Sequence, residues 1–359
     1  MRREPSLNSH VSRFTSLSRF QKKMSSVIKP AMEIFLRVRD YDLSATLDSG
    51  QAFRWQPDNG SWTGVIGRRQ VRLTRIRDGI RAETARPVAN WQWLRDYLQT
   101  DVDLDAVLKT FPDDAPMRDA VAACRELRVL RQDPWECLAS FILSSTKQIV
   151  QIRQIVALLC ERFGEPVSLS SPKGGEGRGE EADYFETQIP SPPPSPGFGA
   201  TSQPSPRLGG TREENGLCFA FPTPQRIAAA SEADLRSCKM GFRAPHLLAA
   251  ARRVADGKLD LERLRHLTLA EARGELMKLR GVGGKIADCV LLFACGFDCA
   301  FPVDVWVERA LRELYFPRRR VSAKRLQHFA ATHFGPHAGY AQQYLFHYMR
   351  TKVKRAGSS

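Results

Sequence analysis

Two residues nineteen positions apart, Lys285 and Asp304, are the types that could do chemistry together. Lys285 lies in Leu279-Arg-Gly-Val-Gly-Gly-Lys-Ile-Ala-Asp-Cys-Val290, where one amphipathic pattern ends at Leu279 and a second starts near Gly284. A lysine on the first turn of a helix sits at the positive end of the macrodipole, whereas cations are favoured at the other end. It serves there either as a phosphate contact or as an amine nucleophile. The second role needs burial and nearby positive ends, because at its reference pKa only about one lysine in a thousand is neutral near pH 7. Asp304, in Phe301-Pro-Val-Asp-Val-Trp306, opens another amphipathic helix. Most aspartates so placed are plain N-caps. An ionised one beside a nucleophile can also stabilise an oxocarbenium-like sugar and relay protons.

The elements around them must hold these groups. Gly281 and Gly283 permit positive φ and close backbone approach between the two helices, so the hairpin N–H groups can form an anion site suited to a DNA phosphate. The same glycines also fit an ordinary tight turn between helices. Cys289, four residues after Lys285, shares its helix face. Upstream, 51–56, 62–67, 70–76 and 79–85 are rich in aromatic and β-branched residues and are separated by turn signals, which predicts strands of an antiparallel meander. From Trp91 onward the periodicity is helical: 91–98, 104–110, 117–124, 134–144 and 149–163, then 224–230 through 338–353. The fold class expected is α+β.

Composition bounds the partners. The chain has 359 residues, 42% hydrophobic and 26% charged, with 54 Lys/Arg against 39 Asp/Glu and a net charge of +15. That excess points to a polyanion. No apolar run is long enough for a membrane span, so no membrane partner is expected. Eight cysteines without a C-x-x-C pair argue against a disulfide scaffold and for an intracellular setting. Residues 1–29 hold seven Lys/Arg, seven Ser and one acid, and read as a disordered basic tail, with a transit peptide as the other reading. Residues 166–215 are Pro/Gly/Ser-rich and predict a disordered insertion. Their four basic and seven acidic residues leave +18 on the remainder. The domains expected are thus 30–130, a β-sheet domain, and 131–353, a helical domain interrupted by 166–215.

G-V-G-G-K followed by P-V-D resembles the helix-hairpin-helix (HhH-GPD) DNA glycosylases, in which the lysine marks bifunctional glycosylase/lyases. Further stretches resemble its 8-oxoguanine DNA glycosylase branch: Ser49-Gly-Gln-Ala-Phe-Arg-Trp55, Arg131-Gln-Asp-Pro-Trp-Glu-Cys137, Phe141-Ile-Leu-Ser-Ser145, Gly241-Phe-Arg243 and Gly339-Tyr-Ala-Gln-Gln-Tyr-Leu-Phe346. They fall in family order across 34–350. The resemblance implies an N-terminal antiparallel domain and two helical domains around a cleft. It makes Lys285 the Schiff-base nucleophile and Asp304 the catalytic carboxylate. Gly50 would accept from N7–H of the oxidised purine, Cys289 and Phe346 would sandwich the flipped base, and Gln342 would read its Watson–Crick edge. Phe242 would wedge into the stack, Arg243 would hold the orphaned cytosine, and Gly281, Gly283 and Thr146 would contact DNA.

Three positions depart from the animal-type pattern: Thr146 replaces an asparagine, Gln151 a second cytosine-reading arginine, and Trp306 a histidine. They put strict preference for cytosine opposite the lesion in doubt. The C-terminal four-cysteine cluster of some relatives is absent, so no iron–sulfur centre, metal or other cofactor is expected. The expected activity is excision of 8-oxoguanine from duplex DNA by a monomer, through a lysine imine and β-elimination. The rivals are a related glycosylase for another damaged base, a non-catalytic DNA-binding protein and an RNA-binding protein.

Overall fold

The computed structural model describes residues 32–145, 147–167 and 218–356. The 1–29 tail, Thr146 and all but two residues of the 166–215 segment lie outside them. The two exceptions are strand residues. Pro166–Val167 pairs antiparallel with Cys218–Phe219.

The first structured unit is an antiparallel sheet: β1 (Met32–Arg37), β2 (Gln56–Asp58), β3 (Ser61–Ile66), β4 (Arg69–Ile76) and β5 (Gly79–Thr84), in the order β1-β5-β4-β3-β2. Asn59-Gly60 joins β2 to β3 with both residues at positive φ (46° and 81°), the backbone that matches strand twist in a two-residue hairpin. One face buries Leu36, Val71, Leu73, Ile80 and Ala82 against α1 (Leu43–Asp48) and α2 (Gln92–Leu98).

The stretch 51–56, expected as a strand, is irregular as far as Trp55. Its backbone and side chains are satisfied by tertiary partners instead of a ladder. Gln51 is fully buried, and its amide donates to the carbonyls of Thr46 (2.9 Å) and Arg128 (2.8 Å). Its side-chain oxygen accepts from the Leu130 amide (2.8 Å), and its own carbonyl accepts from Gln132 Nε2 (2.7 Å). The aromatic residues that looked like alternation, Phe53 and Trp55, belong to different clusters, one helical and one under the sheet.

Helices follow: α3 (Leu104–Leu108), α4 (Ala115–Cys124), α5 (Pro134–Leu143) and α6 (Ile149–Phe163). After the short ladder β6 (Pro166–Val167) and β7 (Cys218–Phe219) come α7 (Pro224–Ala228), α8 (Glu232–Leu235) and α9 (Ala244–Ala255). The last five are α10 (Leu269–Met277), α11 (Gly284–Val290), α12 (Val305–Ala310), α13 (Ala323–His333) and α14 (Ala338–Ala356). Starts are marked as their sequence dictates, for instance Asp133 before Pro134 and the Thr268/Glu271 capping box. Both α11 and α12 run on into π turns, Leu291–Cys295 and Leu311–Tyr315. One hydrophobic cluster runs through the helices, including Leu138, Leu247, Val290, Leu311 and Tyr344. Gly339 lets α14 reach it: a Cβ there would come within 2.3 Å of Leu292 and 2.6 Å of the Ala300 carbonyl. That close approach seats the start of α14 against the π turn that follows α11.

Candidate active site

The hairpin between α10 and α11 carries Lys285 one residue inside its helix. The two glycines differ in what they need. Gly281 has φ +85°, and a Cβ on it would lie 2.3 Å from Nδ1 of His246 on α9. Gly283 has ordinary φ (−96°) and nothing within 4 Å of a built Cβ, so no internal contact requires a glycine there. Gly281→Ala is expected to lose at least about 1–2 kcal/mol from its left-handed backbone alone, read as an earlier urea midpoint. Gly283→Ala should unfold like wild type yet bind duplex DNA more weakly, because its methyl faces outward from the hairpin.

Lys285 is partly buried. Its Nζ donates to Ser144 Oγ at 3.3 Å and sits 5.2 Å from the centre of the Phe141 ring. Ser144 commits its own proton to the Phe141 carbonyl (2.7 Å), so its oxygen can only accept from the lysine. Asp304 caps α12, its Oδ1 accepting from the Val307 amide at 2.9 Å. Burial raises the Asp304 carboxyl above the ordinary aspartate range, opposed by the Val307 amide and by the nearby Lys285 and Arg350 cations. The amine and the carboxylate therefore share one electrostatic site. Cys289 belongs to it as well: burial pushes its thiol up to about 12, with Lys285 pulling down and Asp304 pushing up. It remains a neutral, apolar surface and no rival nucleophile.

The 49–51 turn and α14 meet next to this site, α14 reaching the Asp304 carboxylate electrostatically through Arg350. Gly50 takes φ +81°, and a Cβ on it would meet Ile149 at 2.8 Å and the Phe346 ring at 3.7 Å. Gln343 ties α14 to this turn by donating to the Ser49 carbonyl (3.3 Å). Phe346 is almost fully buried, with the Arg350 guanidinium 5.3 Å from its ring centre. Gln342 is 4% exposed, and its Oε1 has no hydrogen-bond partner. An acceptor left unpaired in such a place costs about 1–3 kcal/mol, and a bound donor would relieve that cost.

Phe242 and Arg243 differ in placement. Phe242 is 56% exposed in the turn before α9, its ring packed edge-on to His246. Arg243 is buried beneath it, 4.3 Å from the Phe242 ring, donating to the carbonyls of Met240 (3.4 Å) and Ser145. The expected reader of the orphaned base thus points inward here and would have to swing out. Phe242→Ala should leave the melting temperature nearly unchanged, since so exposed a side chain contributes within about 0.5 kcal/mol. Its binding to a lesion-bearing duplex, followed by anisotropy, should weaken by about 1–3 kcal/mol if the ring stacks. Two further side chains reach the site, Ser144 through the lysine and Arg350 through Phe346 and Asp304. The signal for Arg350 is its position four residues after Phe346; Ser144 lies in a matched motif, but only the fold brings it to the lysine.

The hairpin, the lysine and the carboxylate capping the next helix define a class. The chain belongs to the HhH-GPD superfamily of base excision DNA repair proteins, whose sequence model matches residues 139–334. Residues 33–138 match the 8-oxoguanine DNA glycosylase N-terminal domain, which places the chain in that branch. It is 29% identical over 322 residues to a probable N-glycosylase/DNA lyase of Methanothermobacter thermautotrophicus, covering 87% of this chain and 95% of that one. Against N-glycosylase/DNA lyase OGG1 of Arabidopsis thaliana it is 28% identical, over 85% of this chain and 76% of the relative. Among solved structures, the Clostridium acetobutylicum 8-oxoguanine glycosylase/lyase bound to DNA with cytosine opposite 8-oxoguanine superposes with a TM-score of 0.71. That match has 28% identity and covers 90% of this chain and 98% of the other.

Proposed function

We propose that this protein is a bifunctional DNA glycosylase/AP lyase that excises 8-oxoguanine from duplex DNA. The observation that carries the reading is the electrostatic coupling of Lys285, one residue inside the helix that follows the glycine hairpin, to the buried Asp304 carboxylate capping the next helix. The duplex is gripped by the hairpin amides around Gly281 and Gly283 and by Thr146. The damaged nucleotide is rotated out of the stack, with Phe242 filling the gap. In the pocket the base lies between Phe346 and Cys289. Gln342 Oε1 accepts from donors on its Watson–Crick edge, and the Gly50 carbonyl accepts the N7–H that guanine lacks.

The Lys285 amine then attacks C1′ while ionised Asp304 stabilises the positive charge developing on the sugar. The C1′–N bond breaks and the base leaves with one proton of the attacking amine; the C1′–O4′ bond then opens, O4′ taking the second amine proton, and the nitrogen is left joined to the sugar as an imine. Loss of a C2′ proton and departure of the 3′ phosphate cleave the strand. The protein works as a monomer and without a cofactor; no helix among the described residues is long and apolar enough to cross a membrane. The test is excision and borohydride trapping on 8-oxoguanine paired in turn with C, A, G and T, alongside a 3-methyladenine duplex. Release of 3-methyladenine with no attack on 8-oxoguanine would overturn the substrate. Gln151 and Trp306 lead us to expect excision opposite bases other than cytosine.

A further inference from the structure

After Glu313 the chain has nine Lys/Arg and no Asp or Glu through Ser359. Five of these cations, Arg318, Arg319, Arg320, Lys324 and Arg325, crowd into the turn before α13 and its first residues, and all are exposed. Among the described residues no carboxylate pairs with any of them. By contrast, Arg309 and Arg312 just upstream are held by Glu313 (2.6 Å) and Glu308 (2.7 Å). Like charges this dense repel one another, and a polyanion relieves that repulsion.

The turn is anchored, and its anchor relates it to the active site. Val321 is buried, and its carbonyl accepts from Arg312 Nη1 at 2.6 Å. Arg312, Glu308 and Val305 recur at helical spacing and so share one side of α12 and its π turn. Val305 is 80% exposed and adjoins Asp304. The side of the helix that starts uncovered beside the catalytic carboxylate thus ends at the basic turn. Seven residues separate the two ends, about 10 Å of rise. That is the span of roughly three nucleotides at about 3.4 Å each along one strand.

We propose that Arg318, Arg319, Arg320, Lys324 and Arg325 form a second phosphate-binding surface that grips the duplex arm on the α12–α13 side of the lesion. The proposal rests on the reading above, in which the duplex enters at Lys285. It is distinct from the hairpin, which holds the backbone from α10 and α11.

The test uses the full chain and the triple variant R318Q/R319Q/R320Q on a long 8-oxoguanine duplex, with binding measured over a range of salt. The slope of log K against log salt should shrink by about one to three, near 0.9 for each phosphate contact removed. Single-turnover excision at saturating enzyme should not change, and neither should the melting temperature. Shortening one duplex arm should erase the difference between the two proteins, while shortening the other should not. An unchanged slope overturns the proposal. So does a loss confined to single-stranded RNA or to phosphatidylserine vesicles with duplex binding intact. Wild-type protein that excises 8-oxoguanine while the slopes agree refutes this surface alone. Wild-type protein that neither binds nor cleaves the duplex refutes the proposed function with it.

Discussion

Lys285→Gln is expected to abolish the borohydride-trapped adduct and strand cleavage, lowering excision on the order of 10³-fold or more, while lesion binding persists. Glutamine has a similar helix propensity, so α11 should stand. What disappears is the primary amine, and without it no imine can form for hydride to reduce. The amine is also the group hydrogen-bonded to Ser144, so the variant tests whether the resting contact marks the reacting atom. Denaturing gels of trapped complexes, with binding measured in parallel, separate chemistry from recognition. An adduct that survives the substitution would assign the imine to another amine.

Asp304→Asn should cut excision by about 10²–10³-fold, the scale found when one group stabilising a charged transition state is removed. Asparagine is as good an N-cap as aspartate, so the hydrogen bond from the Val307 amide and the start of α12 are retained. Charge is removed with little change of shape. The pH profile supplies a second readout. Burial raises the Asp304 carboxyl, so the ionised form is lost at a higher pH than for an exposed aspartate. Wild-type excision should therefore fall on acidification through a midpoint above the ordinary aspartate value, and the variant should lack that limb. The stability sign runs the other way: a carboxyl whose folded pKa is raised favours the fold below its unfolded pKa. That advantage is lost as pH rises through the folded pKa. At neutral pH the asparagine variant should melt no lower than wild type.

Much of this arrangement was legible in the sequence because it depends on local rules. Asn59-Gly60, Asp133-Pro134 and the Asp304 cap sit where turn and capping chemistry put them. The four-residue spacing of Lys285 and Cys289 is enough to set both in one electrostatic site. What was not legible is set by distant partners. The 51–56 stretch has strand-like residues, but Gln51 is satisfied by Thr46, Arg128, Leu130 and Gln132, three of which lie some eighty positions away. Arg243 reads as a reaching cation, yet its guanidinium is held by the Ser145 carbonyl from another helix end. Nothing near position 144 announces that its hydroxyl will meet an amine 141 residues later.

The two-residue ladder of β6 and β7 has a consequence for how the chain tolerates change. Its strands bring Val167 and Cys218 together as partners, and Arg54 and Trp135 fasten the outgoing side through the carbonyls of Phe219 and Pro222. The two ends are thus stitched to the body independently of whatever is threaded between them. The ladder therefore fixes where the chain leaves the repair fold after Val167 and where it re-enters at Cys218, a natural port through which new sequence can be spliced.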